Sequence, residues 1–532
     1  MKYILKHWRT VLLIGIVVIA AVLRLYTLNT NPPALYWEEP ALGYDAYSIL
    51  KTGKDYHGNP FPIVAFPSFG DYKPPLYFYT IVPFIPIVGL NEWAVRLPSA
   101  VAGIATVLVV FWIGLELYGS EVGLVAAAVF AIQPWSIQLS RVGFETNFAT
   151  FLVALGVLFL LKARKKPQWL IAAAVTMVLS MYTYHSERIV APLLAIVAAF
   201  SLGHFKYLKW MIVAAFIAVV LSLPILINIK NPAVAQRAAE TSIFVDLDPI
   251  LESNTLIEQD FSSPLGKLLH HRYIVFSQLI LTQYFRSFSP NYLFLTGDEN
   301  IRHGTKRNGV LFHWESVWIA AALFVLVKKR KKLNALPIWW ILIAAIPVSL
   351  TEVSPHTLRF AAASPAFSLL TALGIVTIYH AVKPKLRPWL IGVFGIVVAF
   401  ELIAYLHFYY FHYPAIAAPD WQYGYKQLMS DLRALKKPGQ KVYVTREQGR
   451  PSIYYLFYNA IDPATVQAQD SSVKKDQNEL LQVGDYYFVD ALTPESGSLV
   501  ASSPQKRDPA SKELQSVIDL NGKQVWSIWG KQ

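Results

Sequence analysis

The sequence predicts a polytopic α-helical membrane protein of about 11 transmembrane helices, with its N-terminus inside and a small α/β domain outside. Three observations predict it. Of 532 residues, 55% are hydrophobic and only 15% charged, far from the balance of a soluble globular chain. Apolar runs of roughly 18 residues or more, enough to cross a bilayer, recur from Val11 to Phe411. The basic residues gather in short clusters between those runs, as they do in cytoplasmic loops. A soluble enzyme and a disordered chain are excluded, and so is a β-barrel, whose alternating signal is weaker.

The formal net charge of +13 does not require a nucleic acid, because the clusters orient the chain in the membrane. With no cysteine at all, disulfides and thiolate chemistry are excluded, and any metal would be held by histidines and carboxylates.

The first apolar stretch, 10–28, follows Lys2, Lys6 and Arg9. It begins like a signal peptide, but no small-residue cleavage site follows, so it is read as a retained helix. Further spans are expected at 97–117, 121–138, 147–162, 168–184, 188–203, 209–228, 313–327, 335–350, 359–381 and 388–411. The clusters Lys2/Lys6/Arg9, Lys162/Arg164/Lys165/Lys166, Lys206/Lys209, the run KKRKK at 328–332, and Lys383/Lys385/Arg387 then all face the cytoplasm, on one condition. The apolar piece 76–90 must not cross. It is short and carries Pro83 and Pro86, which suits a bent interfacial or re-entrant helix.

The same parity places 29–96, 139–147, 229–312 and everything after 411 outside, with the turns near 184–188 and 352–359. The expected division is a transmembrane domain over 1–411 and a soluble domain over 412–532. In the latter, WQYGYKQLMSDLRALKK, KVYVT, PSIYYLFYN, YYFVD and QVWSIW read as alternating helical and strand-like runs. No GxGxxG or phosphate loop occurs there, so a nucleotide role has no support.

Chemistry concentrates in the first outer loop, which is far longer than a plain connector. Its opening block, WEEPALGYDAYSIL, pairs Glu38 and Glu39 before an amphipathic stretch; acids at a helix start also complement the macrodipole. In DYKPPLYFY, Lys73 precedes two prolines that fix the backbone presenting its amine, although an interfacial lysine also serves as a snorkelling anchor. RLPSAVAG puts Arg96 before Pro98 at the next helix start, and SRVGFETN sets Arg141 and Glu145 four apart in the next outer turn, a spacing that also suits an ion pair.

In their order, these blocks resemble the GT-C superfamily of polytopic glycosyltransferases, and within it the dolichyl-phosphate-mannose protein mannosyltransferase and lipid A aminoarabinose transferase group. The likeness is specific over 10–200. It implies a GT-C fold and transfer of a sugar from a polyprenyl-phosphate donor. In that family the acidic pair is usually Asp followed by Glu; here it falls on Glu38 and Glu39, and the base falls on one of the two. The family's second acid falls on Glu145, and its KPPL lysine, associated with the donor phosphate, on Lys73. His185 and Arg188 in YTYHSER, with His356 and Arg359 in SPHTLRF, resemble positions near the lipid-phosphate cavity.

These residue types suit such a reaction. An outward-facing site has no access to cytoplasmic nucleotide sugars, so the donor arrives within the bilayer. Transfer needs a base for the incoming hydroxyl and positive charge for the departing phosphate. Glu38 or Glu39 supplies the first. Lys73, with Arg141, Arg188 and Arg359 or some of them, offers the second, arginine by holding two oxygens at once; Arg96 is counted with the substrate-binding residues. The resemblance implies inversion by single displacement, with a lipid, glycan or protein acceptor. A divalent cation is compatible with the outward glutamates and histidines, but no HxxxH spacing marks one, and no cofactor is read. The expected location is the plasma membrane.

Two further features stay open. Glu401, about 20 Å up its helix at 1.5 Å per residue, is either a functional charge or one paired to a neighbouring helix. The stretch QYFRSFSPNYLF in the loop 229–312 either lines an acceptor groove or packs against the outer domain. The competing function, a transporter or flippase of lipid-linked sugars, calls for repeated halves and interrupted helices, and the sequence shows neither by inspection.

Overall fold

The computed structural model describes residues 2–228, 231, 242–328, 334–469 and 475–531. The cluster KKRKK at 328–332 therefore lies outside the described residues except for Lys328.

Among the described residues, six helices are long and apolar enough to cross a membrane: Trp8–Leu25, Glu92–Tyr118, Glu145–Ala163, His204–Ile227, Thr357–Ala381 and Pro384–Ala417. A seventh counts if Ser120–Ile132 and Pro134–Ser140, bent by 58°, form one broken span. The bend has a local cause: Gln133 is extended at ψ 131°, as a residue before proline prefers. The remaining expected spans also fall on helices, which are shorter: Trp169–Met181, Glu187–Ser201, Glu315–Lys328 and Leu336–Ala344. The piece held back from crossing breaks into Leu76–Ile81, a 3-10 turn at Val82–Phe84, and Ile85–Val88.

The chain divides into two compact units. The first comprises Met1–Leu23, Ala102–Leu139 and Glu145–Leu402. Its interior is drawn together by small residues, since helices in lipid associate by close packing where backbones approach. A Cβ on Gly374 would come within 1.9 Å of the Trp318 carbonyl oxygen, and one on Gly114 within 2.7 Å of Gly123 Cα. Buried Glu315 is satisfied there by the Phe312 N–H at 3.0 Å, Thr371 Oγ1 at 3.1 Å and Gln133 Nε2 at 3.2 Å. Glu401 accepts from the His313 N–H at 3.2 Å, so it is paired to a neighbouring segment. In QYFRSFSPNYLF, Tyr292 is buried beside Trp135 and Phe360.

The second unit comprises Arg24–Val101, Ser140–Phe144 and Ile403–Gln532. Near its start a hairpin pairs β1 (Phe66–Ser68) with β2 (Asp71–Lys73). Phe69 and Gly70, both at positive φ, make the two-residue turn, a conformation that matches strand twist. From 413 onward the unit is α/β, as the alternating runs predict. It contains β3 (Val442–Thr445), β4 (Lys475–Asp476), β5 (Glu479–Leu480), β6 (Gln482–Val483), β7 (Tyr486–Val489), β8 (Leu499–Ser502), β9 (Glu513–Ile518) and β10 (Gln524–Gly530). The main sheet has the order β6-β7-β3-β8-β10-β9. Central β3 runs parallel to β7 and β8, and all four of its residues are buried, as a strand covered on both faces must be.

The first outer loop folds with this region although the chain between them is long. Helix Glu38–Thr52 packs on helix Pro451–Tyr458, and a Cβ on Gly43 would meet Phe457 at 2.5 Å and Val95 at 2.7 Å. Gln422 Oε1 accepts from the Trp37 N–H at 2.8 Å and from Tyr454 Oη at 2.7 Å. Lys426 Nζ donates to Glu92 Oε1 at 2.9 Å. These contacts cross the boundary at 411 that the sequence suggests.

Candidate active site

The acidic pair opens helix Glu38–Thr52, which Gly53 ends in the left-handed conformation at φ 71°, its N–H on the Ile49 carbonyl. Successive residues of a helix point about 100° apart, and the two carboxylates meet different surroundings. Glu39 is fully buried. Arg96 grips it with Nε to Oε1 at 2.9 Å and Nη2 to Oε2 at 3.1 Å, and the Gly143 N–H donates to Oε1 at 2.9 Å. The same guanidinium donates to the carbonyls of Leu28 at 3.0 Å, Pro32 at 2.9 Å and Ala34 at 2.6 Å, with the Trp421 ring 5.8 Å from it. An arginine with every nitrogen engaged in protein bonds ties segments together.

Glu38 keeps 28% of its side-chain surface exposed. Its Oε2 accepts from Lys73 Nζ at 2.9 Å and from Tyr36 Oη at 2.5 Å. The hairpin register, Phe66 opposite Lys73, and the stacking of Phe66 on Phe78 at 4.0 Å fix the strand end from which Lys73 projects. Pro74 and Pro75 then hold that backbone, with Pro75 starting helix Leu76–Ile81. Tyr36 is itself clamped between Phe144 at 5.8 Å and Trp421 at 5.7 Å. Arg141 is fully buried, donates to the carbonyls of Tyr26 at 2.8 Å and Asn31 at 2.7 Å, and lies against the rings of Tyr409 and Tyr410. The second unit thus brings together Glu38 with Lys73, and Glu39 with Arg96.

Asp45, on the same helix, is also buried and accepts from the Tyr56 N–H at 3.1 Å. Burial, with the nearby Asp55 carboxylate adding to it, pushes its carboxyl well above the usual range.

The first unit holds the other expected residues. Glu145 is buried at the start of helix Glu145–Ala163. His185 and Arg188 are half-buried where the turn after Met181 enters helix Glu187–Ser201. His356 Nδ1 caps helix Thr357–Phe360 by accepting from the Arg359 N–H, and Arg359 Nη1 donates to Thr351 Oγ1 at 2.8 Å. Two residues that sequence reading missed join His356: Asp298, His303 and His356 present ligand-type atoms all within 4.8 Å of one another. The signal was the five-residue spacing of Asp298 and His303 in GDENIRH, too common a pattern to single out.

An apolar helical unit, a carboxylate beside a lysine on an ordered loop, and a mixed α/β region define a helical membrane protein with a C-terminal α/β region. The fold is similar to that of ArnT from Cupriavidus metallidurans bound to undecaprenyl phosphate, with a TM-score of 0.58 over 98% of both chains at 12% identity. It is also similar to the Archaeoglobus fulgidus oligosaccharyltransferase tethered to an acceptor peptide, with a TM-score of 0.50 over 87% of this chain and 64% of that one at 14% identity. Residues 72–227 match the family described as dolichyl-phosphate-mannose-protein mannosyltransferase. A stretch of 103 residues is 30% identical to YycA of Bacillus subtilis strain 168, whose name assigns it provisionally as a mannosyltransferase; the match covers 19% of this chain and 15% of that protein.

Proposed function

We propose that this protein is an inverting glycosyltransferase. It moves a sugar from a polyprenyl-phosphate donor to a hydroxyl of a lipid, glycan or protein acceptor at the outer face of the plasma membrane. The reading includes about eleven crossings with the N-terminus inside, a catalytic membrane domain over 1–411, and a soluble extracytoplasmic domain over 412–532. The observation that carries it is the contrast between the two glutamates. Glu39 is locked under Arg96, whereas Glu38 stays reachable beside Lys73. A base must reach the proton it takes, and a buried carboxylate with its oxygens committed cannot.

The acceptor oxygen attacks the anomeric carbon while the bond from that carbon to the phosphate oxygen breaks. The hydroxyl proton passes to Glu38, and the bonding electrons leave with the lipid phosphate. Lys73 turns from Glu38 to the developing phosphate charge, which frees the carboxylate at the moment it is needed. Glu39 and Arg96 hold the helix start, and Arg141 holds the loop carbonyls around it. Glu145, His185, Arg188, His356 and Arg359 are assigned to the substrate-binding surface of the first unit. The match to the mannosyltransferase family over 72–227, which includes Lys73, Arg96, Arg141, Glu145, His185 and Arg188, supports this reading. So does the likeness in fold to a protein solved with undecaprenyl phosphate. Purified protein supplied with polyprenyl-phosphate sugars tests it: Glu38→Gln lowers transfer by roughly 10² to 10⁴, and a fully active Glu38→Gln protein overturns the reading.

A further inference from the structure

The first unit contains a polar centre built on Asp298, His303 and His356, of which only His356 has a place in the proposed transfer, at the substrate-binding surface. We propose that Asp298, His303 and His356 form a binding site for one divalent transition-metal ion of the zinc class. Asp298 is buried and oriented from both sides: Oδ1 accepts from the Asn300 N–H at 2.9 Å, and Oδ2 from the Thr357 N–H at 2.8 Å. Thr357 directly follows His356, so this bond ties the loop carrying Asp298 to the turn carrying the second histidine. His303 is buried with Nδ1 2.9 Å from Asp298 Oδ2. Its own N–H donates to the Asn300 carbonyl at 2.9 Å, which closes the loop between the two. The His303 and His356 rings lie 5.0 Å apart.

The donor chemistry selects the ion. Two imidazoles and one carboxylate suit Zn²⁺ and its neighbours and leave a coordination position open. Mg²⁺ and Ca²⁺ prefer all-oxygen sites. A tetrahedral zinc with bonds of about 2.0–2.1 Å has ligand-to-ligand edges of about 3.3 Å. The contact between Asp298 and His303, at 2.9 Å, is already close to that edge. The widest of the three separations, within 4.8 Å, closes by rotating an imidazole. A buried Asp–His hydrogen bond alone would not need a second histidine at the same point, and the third donor is what distinguishes a metal site.

The test uses full-length protein purified in detergent through a tag without histidine, stripped with chelator and titrated with Zn²⁺ and Co²⁺. One ion per chain is expected, and the Co²⁺ form should show the intense visible bands of four-coordinate N/O ligation. Asp298→Asn, His303→Gln and His356→Gln should each weaken binding at least tenfold, whereas His271→Gln should bind as the unmodified protein does. Absence of saturable binding at one equivalent would overturn the site. Octahedral Co²⁺ bands, or unchanged affinity in three variants that run monodisperse on gel filtration, would do the same. Should a variant fail to fold, stoichiometry and the Co²⁺ spectrum of the unmodified protein still decide. None of these readouts depends on sugar transfer, so failure here leaves the transferase reading standing.

Discussion

Glu38 and Glu39 are adjacent and chemically identical, yet their surroundings predict opposite consequences for the same substitution. Glu38→Gln should leave the fold intact and lower turnover by roughly 10² to 10⁴, the usual contribution of a positioned base. Glu39→Gln should leave Arg96 buried without its counter-charge, costing about 3–5 kcal/mol, visible as a lower melting temperature in detergent before any assay is run. Equal melting temperatures for the two variants would show that the burial contrast lacks the weight given to it. Lys73→Ala should raise the apparent KM for the lipid donor and leave that of the acceptor unchanged; the opposite pattern would remove the phosphate role. Asp45 supplies a pH signature. Its carboxyl is raised in the folded protein, so its contribution to stability is full below the unfolded value of about 3.9 and is lost as pH rises through the folded one. Asp45→Asn should therefore stabilise the protein at neutral pH, with a gain that vanishes near pH 4. A pH-independent difference between the two melting curves would contradict this.

At the scale of elements, the site depends on how helix Glu38–Thr52 is seated. Gly43 lies where a side chain would strike Phe457 and Val95. Gly43→Ala should cost about 1–3 kcal/mol by overpacking and should reduce transfer as well, because the helix start carries the base. Activity that survives a clear loss of stability would show that helix seating and base position are uncoupled. The expected helices were legible because hydropathy over a full span is a sum of many residues. The break at Gln133 and Pro134 was not recognised, since a proline in an apolar run permits a straight, kinked or broken helix and only the neighbouring packing selects among them. The piece 76–90 is legible as short and proline-bearing, and its two internal prolines fall in the 3-10 turn and the short helix into which it breaks.

For the whole molecule, orientation is the property to measure. The chain has no cysteine, so single cysteines report without background. An impermeant thiol reagent applied from outside intact cells should label Lys512→Cys and spare Lys385→Cys. Labelling of the latter alone would invert the arrangement.

The sequence by itself determined the membrane class, the helical character of the apolar runs and the α/β character of the C-terminal region, and it singled out the blocks to which the proposed chemistry is assigned. All of these are properties of composition, periodicity and short-range order. It could not choose between Glu38 and Glu39, since nothing in EE states which carboxylate will meet Arg96 and the Gly143 amide. It marks the change of composition at 411, but not the packing of 24–101 with 403–532, which depends on contacts between segments far apart in the chain. It also passed over Asp298 and His303, which gain meaning only when the chain returns His356 to their side. Those decisions rest on burial and on which donors reach which oxygens, and both are set by tertiary packing.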